Sequence, residues 1–210
     1  MKIIIFMMKK LSEVALCAVV VALFATNIVP SAFAQNTIPL LGFAWSHTTI
    51  TYSITAGKNV DPASVTAAND AIAAWNTAID SGSKPDFTLV PAAAGTQGDI
   101  RVNLKVGTGV VLGSAQTFTN SDGSAKYSKV TLSGKAFGDP LGHDPVMTIA
   151  IQEIGHSLGL NHSNNPSDPM YGTYNGVKLA PSGCDVTAFD AVHAWYPGTF
   201  HTPTVSSVTC

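Results

Sequence analysis

The chain has 210 residues, with 11 basic and 13 acidic side chains, a formal charge of −2 and 46% hydrophobic residues. That length suits one domain plus processing segments, and the charge balance excludes the basic footprint of a nucleic-acid binder. Charged residues make up only 11% of the chain, so Ser, Thr, Asn and Gly must carry much of the surface.

Lys9 and Lys10 precede an apolar run from Val14 to Val29, broken only by Thr26 and Asn27, and Ser31-Ala32-Phe33-Ala34 follows. A basic start, an apolar stretch and a small-x-small site make a secretory signal peptide cut after Ala34. Residues 1–34 are therefore expected to be removed and residues 35–210 to form a single secreted domain. An uncleaved anchor is the alternative, though the run is short for a span of roughly 20 residues. Met8 serves the leader as well as Met1. Beyond Ala34 the chain carries eight basic and twelve acidic residues, a charge of −4. No segment there reads as membrane-spanning. Cys17 leaves with the leader. Cys184 and Cys210 remain, either as a disulfide suited to an exported protein or as two free thiols.

Thr49–Thr55 alternates and is rich in β-formers, which predicts a strand. Asp61-Pro62 is a cap followed by Pro at the first helical position. It opens a helix over Ala63–Ile79 with Val65, Ala68, Ile72, Trp75 and Ile79 on one face. Short strands are expected at Asp86–Val90, Asp99–Val106, Gly113–Thr119 and Lys126–Ser133, the last two closing a hairpin around Asn120-Ser121-Asp122-Gly123. Asp144-Pro145 repeats the cap-then-Pro signal and opens a helix over Val146–Leu158, with Gly159 as its stop. A third helix is predicted over Asp185–Trp195, stopped by Pro197 and Gly198, and the tail to Cys210 is expected to be irregular. Trp45, Trp75 and Trp195 read as core residues.

The second helix carries the chemistry. Gln152 and His156 are four residues apart and point about 40° from each other, and Glu153 lies within roughly 60° of His156 on the same surface. Gly159 permits a left-handed reversal, which returns His162 toward the same point. A carboxylate then sits beside two imidazoles around one candidate ion. His143 lies nine residues before Gln152, roughly 13 Å along a helix, too far to join them. No spacing connects His47, His193 or His201 to the site.

The stretch Gln152-Glu153-Ile154-Gly155-His156-Ser157-Leu158-Gly159-Leu160-Asn161-His162 resembles the metzincin signature H-E-x-x-H-x-x-G-x-x-H, with Gln in place of the first His. Asp168-Pro169-Met170-Tyr171 resembles its Met-turn. His162-Ser163, Pro181–Asp185 leading to Tyr196-Pro197, and Trp45 with Thr51-Tyr52 and Ala74-Trp75 are similar to the matrixin branch. The resemblance covers about residues 43–197. It implies an α+β, zincin-like metalloprotease fold: a twisted mixed sheet of about five strands with three helices, the catalytic helix at the cleft. It also implies a zinc ion held by His156, His162 and Gln152, with Glu153 as general base and Met170 as an apolar floor. Tyr171–Tyr174 would line the pocket after the cut, and Val110–Ala115 would lie near the edge strand that pairs with substrate. The expected activity is hydrolysis of internal peptide bonds in extracellular proteins by metal-activated water. The partner would be an extended peptide or protein, with no nucleic acid and no membrane after signal cleavage, and the domain would act as a monomer. No room is expected for a latency pro-segment between Ala34 and the first strand.

Gln is not among the usual zinc ligands. Three readings follow: Gln152 ligates through its carbonyl oxygen in a working enzyme; only His156 and His162 bind, with waters completing the shell; or the domain is a catalytically impaired binding module for peptide or protein.

Overall fold

Alternating side chains in four central segments place one apolar face of a sheet against two helices. The computed structural model describes residues 35–107 and 111–210; the expected leader over 1–34 and Val110 of the expected edge segment lie outside the described residues. The described elements run β1 (Thr37–Pro39), β2 (Thr49–Ala56), α1 (Pro62–Asp80), β3 (Thr88–Pro91), β4 (Ile100–Lys105), β5 (Gly113–Thr119), β6 (Ala125–Ser133), β7 (Lys135–Ala136), β8 (Asp139–Pro140), α2 (His143–Ser157), α3 (Gly183–Val192) and β9 (Ser207–Thr209). The main sheet has the order β3-β2-β4-β6-β5. Its first four members are parallel, and β5 is antiparallel at one edge. This is the expected mixed five-stranded α+β architecture, with three helices among the described residues.

Helix α1 starts where expected. Asp61 accepts from the Ala63 amide, and Pro62 occupies the first turn. Its buried stripe is Ser64, Ala67, Ala68, Ala71, Ile72, Trp75 and Ile79, with Val65 at the rim rather than in the core. Alanines at the contact let α1 lie close to α2, and methyl-sized side chains there surrender little rotamer freedom on burial. The inner sheet face contributes Ile50, Ile100, Val102, Leu104, Val130 and Leu132, all essentially inaccessible. Trp45, Trp75 and Trp195 are core residues, as expected. Among the described residues no helix is long and apolar enough to cross a membrane.

Three expectations need correction. Helix α2 begins at His143 rather than Val146, with Gly142 at its N-cap and no side-chain cap bond. Asp144 does not cap it, because its carboxylate is taken by His143 Nδ1 at 2.7 Å, while His143 Nε2 meets Asp70 at 2.9 Å. Helix α3 begins at Gly183 and ends at Val192. Ser182 is the cap and Asp185 closes a capping box from the third helical position, so Asp185 belongs to the first turn and does not precede it. The tail is not wholly irregular: β9 pairs with β1 antiparallel, Thr37 opposite Thr209.

Cys184 and Cys210 form a disulfide, which decides between the two readings of these cysteines. It joins the start of α3 to the β1–β9 ribbon. Strands of three residues have little stability of their own, so the crosslink holds the ribbon in place. The bond closes a loop of 26 residues, for which lost chain entropy in the unfolded state corresponds to about 3 kcal/mol. Cys184→Ser is expected to lower the unfolding free energy by about that amount and the Tm by roughly 6–12 °C, measured by thermal denaturation. Wild type under reducing conditions should match the variant.

Candidate metal centre

The site is assembled from α2 and the segment that follows it. Helix α2 is held from two sides through its own carbonyls: Trp75 Nε1 donates to Ile151 O at 2.9 Å and Trp45 Nε1 to Ser157 O at 3.0 Å. At its end Gly159 takes φ +98°. The Leu160 amide donates to Gly155 O and the Gly159 amide to His156 O, each at 3.1 Å. This pair of bonds is the Schellman stop, and it needs a residue tolerant of left-handed backbone. The reversal is clamped by the N-terminal segment, with Leu41 N donating to Gly159 O and Asn161 N to Pro39 O, both 2.8 Å.

That reversal orients the first imidazole. His156 Nδ1 lies 2.8 Å from Leu160 O. A carbonyl only accepts, so Nδ1 carries the proton and Nε2 keeps its lone pair. Burial, the largest cause, lowers the His156 pKa, and the Leu160 carbonyl opposes it. The neutral, ligating form of the ring is thus favoured. His162 comes round to face it, the two ring centroids 4.7 Å apart at 68°. The Ser163 amide donates to Met170 O at 2.9 Å, which ties the segment after His162 to the Met170 turn. Met170 is fully buried, and its sulfur lies against Gly155, where any Cβ would collide with it. A glycine in mid-helix costs about 1 kcal/mol relative to Ala. Here it lets the sulfur and the Trp75 ring approach the helix backbone.

Glu153 is 7% exposed, and its Oε2 has no hydrogen-bond partner among the described residues. Burial pushes its carboxyl up to about 7. Strand β5 covers it. A Cβ on Gly113 would come within 2.6 Å of Glu153 Oε1 and 2.7 Å of Ile149 Cγ2, so a larger residue there would displace the Glu153 side chain.

Gln152 lies on the same helix face, and its Nε2 donates to Tyr171 O at 3.1 Å. The amide nitrogen is tethered and the carbonyl oxygen accepts no hydrogen bond among the described residues. The described residues contain no group of three or more His, Cys, Asp or Glu side chains able to hold a metal. The structure brings the His156 and His162 imidazoles together, while Gln152 lines the neighbouring recess with Tyr171.

A groove of about 600 Å³ runs past the imidazoles, lined by Leu41, Phe43, Ala115, Thr117, His156 and His162. A smaller recess on the other side is lined by Ile149, Gln152, Pro169, Tyr171 and Tyr174, among others. The remaining histidines stand apart. His143 binds Asp70 and Asp144, His47 meets Asp99, and His201 is exposed. His193 is fully buried against Phe87 and Phe189, and burial drives its pKa down to about 3.

Gly155 and Gly113 escape a reading of the sequence alone, although a glycine inside a helical or strand pattern is itself a signal of close approach. The support under Met170 also escapes it. Asp168 Oδ1 accepts from the Met170 amide at 2.8 Å, and its Oδ2 accepts from Asn36 Nδ2 at 2.6 Å and Ser182 Oγ at 2.7 Å. Asp185, fully buried, accepts from the Ser182 amide at 2.7 Å. Burial first, and the Asp168 charge second, push Asp185 up from 3.8 to about 8. The folded state therefore holds a proton that the unfolded chain releases. Its stabilising contribution is complete at acid pH, below the ordinary carboxyl range, and is lost as pH rises toward the raised value. Asp185→Asn removes the titration while keeping an acceptor for Ser182. The stability difference between variant and wild type should then shift in the variant's favour from pH 5 to pH 8, measured by urea unfolding.

A segment of 46 residues is 48% identical to macrophage metalloelastase of Rattus norvegicus, covering 22% of this chain and 9% of that protein. The chain thus spans less than a tenth of that relative's length. The family model described as Matrixin matches residues 44–196, from Ala44 beside the first core tryptophan to Tyr196 after α3. That match takes in the sheet, all three helices, the His156–His162 reversal and the Met170 turn, and by it the chain belongs to the matrixin family of metalloproteases.

Proposed function

We propose that the chain is a secreted zinc-dependent metalloendopeptidase that hydrolyses internal peptide bonds of extracellular proteins, with Glu153 as general base. The observation that carries this reading is the buried Glu153 carboxyl, whose Oε2 has no hydrogen-bond partner among the described residues, beside His156, whose protonated Nδ1 leaves Nε2 with its lone pair. His156, His162 and Gln152 would hold the zinc. When bound, zinc polarises a scissile carbonyl and acidifies water. Glu153 takes up the water's proton at Oε2 and passes it to the leaving amine.

Among the described residues strand β5 pairs on one side only, with β6. Its free side presents N–H and C=O groups to an extended peptide, which adds to the sheet edge as a further strand. The groove beside Phe43 and the recess beside Tyr171 then take side chains before and after the cut. Export is supported by the basic, apolar and small-x-small order of residues 9–34. The domain would act as a single copy on its substrate.

A second reading is favoured by one observation: Gln152 is bonded to Tyr171 O and is no usual zinc ligand. In that reading the cleft binds peptide without turnover. Zinc content of the purified protein, together with cleavage of a denatured protein by wild type and by Glu153→Ala, separates the two. The enzyme reading expects about one zinc per chain and activity lost in the variant. A zinc-supplied wild type as inactive as a folded Glu153→Ala variant would leave the binding reading.

A further inference from the structure

The described helices pack against one face of the main sheet, and the outward residues of β4, β5 and β6 on the other are partly or fully exposed. On that outward face three lateral rows cross the strands. One row sets Arg101 of β4 beside Lys129 of β6 and Gln116 of β5. The next sets Asn103 beside Thr131 and Ser114. In the third, Phe118 and Tyr127 are stacked, ring centroids 4.6 Å apart at 23°.

Like charges on neighbouring strands, about 4.8 Å apart, oppose one another. Arg101 and Lys129 accept that arrangement with no carboxylate partner, since the ion pairs among the described residues all join a histidine to an aspartate. The pair is instead held in place by the rings. The Arg101 guanidinium lies 4.0 Å from the Tyr127 ring centroid, and its Nε donates to Gly98 O at 3.1 Å. Lys129 Nζ lies 5.4 Å from the Phe118 centroid. Lys105, two outward positions beyond Arg101 on β4, adds a third cation about 13 Å away. Asp99, just before β4, is committed to Thr51 and His47, and Asp122, in the turn joining β5 to β6, is committed to Ser124. The face is therefore cationic on a domain whose charge beyond Ala34 is −4.

We propose that this face binds an anionic polysaccharide, with Arg101, Lys129 and Lys105 meeting its sulfate or carboxylate groups and the Asn103–Thr131–Ser114 row its hydroxyls. The separation of Lys105 from the other two cations suits a repeating anion and exceeds the reach of a single small one. Nucleic acid fits less well, because the Tyr127 ring is already covered by Phe118 and Arg101, which leaves no open platform for base stacking. A membrane fits less well too: the apolar side chains of these rows are the stacked Phe118 and Tyr127 pair, which is no broad apolar surface.

The test measures binding of the full chain to dextran sulfate, polygalacturonate and neutral dextran at about 50 mM salt, where exposed charges are weakly screened. Wild type is expected to bind at least one acidic polymer, to ignore neutral dextran and to be released by salt. Which acidic polymer binds tells sulfate from carboxylate. Arg101→Gln with Lys129→Gln should weaken binding by about tenfold or more, as expected when contacts that release counterions are lost. Lys105→Gln alone should weaken it by less. Absent binding to both acidic polymers, equal binding of neutral dextran, or unchanged affinity in a folded double variant overturns the proposal. Tighter binding to single-stranded DNA or to phosphatidylserine vesicles overturns the choice of polysaccharide.

Discussion

Glu153→Gln is expected to lower the cleavage rate by about 10²- to 10⁴-fold, the range supplied by a positioned general base, with fold and metal content unchanged. Gln matches Glu in shape, so the contact beneath Gly113 survives; there a Cβ at position 113 would already come within 2.6 Å of Oε1. The amide cannot take up a proton. It also carries no charge to desolvate at a position where Glu153 Oε2 has no partner among the described residues, so the variant should be at least as stable as wild type. That combination separates chemistry from structure, because a residue needed only for packing would show the loss in Tm and not in rate. Rates should be compared under saturating substrate, where kcat isolates the proton transfer. A Glu153→Gln protein that cleaves at the wild-type rate would assign the base elsewhere.

The central sheet and α1 are legible because their signals are local. Thr49–Thr55 alternates on a period of two, and Asp61-Pro62 fixes the start of α1 within one residue. The start of α2 is not legible. The Asp144-Pro145 pair carries the same local signal as Asp61-Pro62, but His143 takes the Asp144 carboxylate while bonding Asp70 of α1, and a tertiary contact overrides the cap. The β1–β9 ribbon has no readable pattern either. Three residues cannot show alternation, and their pairing depends on a crosslink between Cys184 and Cys210.

Within the site, the positions of Glu153, His156, Gly159 and His162 follow from helical geometry and one left-handed glycine, so spacing alone reaches them. The parts that position those residues are long-range and leave no such trace. Gly113 matters because β5 crosses Glu153. Gly155 matters because Met170, fifteen positions later, returns beneath the helix. Asn36 reaches Asp168 and Ser163 across more than a hundred residues. Each of these is an ordinary residue until the chain is folded.

The identity of residue 152 is plain in the sequence, yet its consequence depends on the fold. Gln152→His is expected to tighten zinc binding by at least about tenfold, measured by competition with a chelator. Position 152 is one turn before His156, so an imidazole there projects from the same face, about 40° around the axis. It replaces a neutral amide oxygen with a nitrogen donor that zinc prefers. Changes in the shell outside the ligands alone alter metal affinity by about 10- to 100-fold, and a change of ligand should do no less. The substitution also breaks the Gln152 Nε2 bond to Tyr171 O. That bond is between partly exposed groups, and its loss costs about 1 kcal/mol of stability, which bound zinc offsets. A ring nitrogen directed at Tyr171 O restores the contact and fixes the tautomer, as Leu160 O does for His156. Activity separates the competing readings of the wild-type residue. If Gln152 ligates in a working enzyme, the variant gains affinity with modest change in kcat at saturating zinc. If the wild type is a binding domain that lacks only its third strong ligand, cleavage appears in Gln152→His where wild type has none. Unchanged affinity would place residue 152 outside the metal's coordination and leave His156 and His162 as its protein donors.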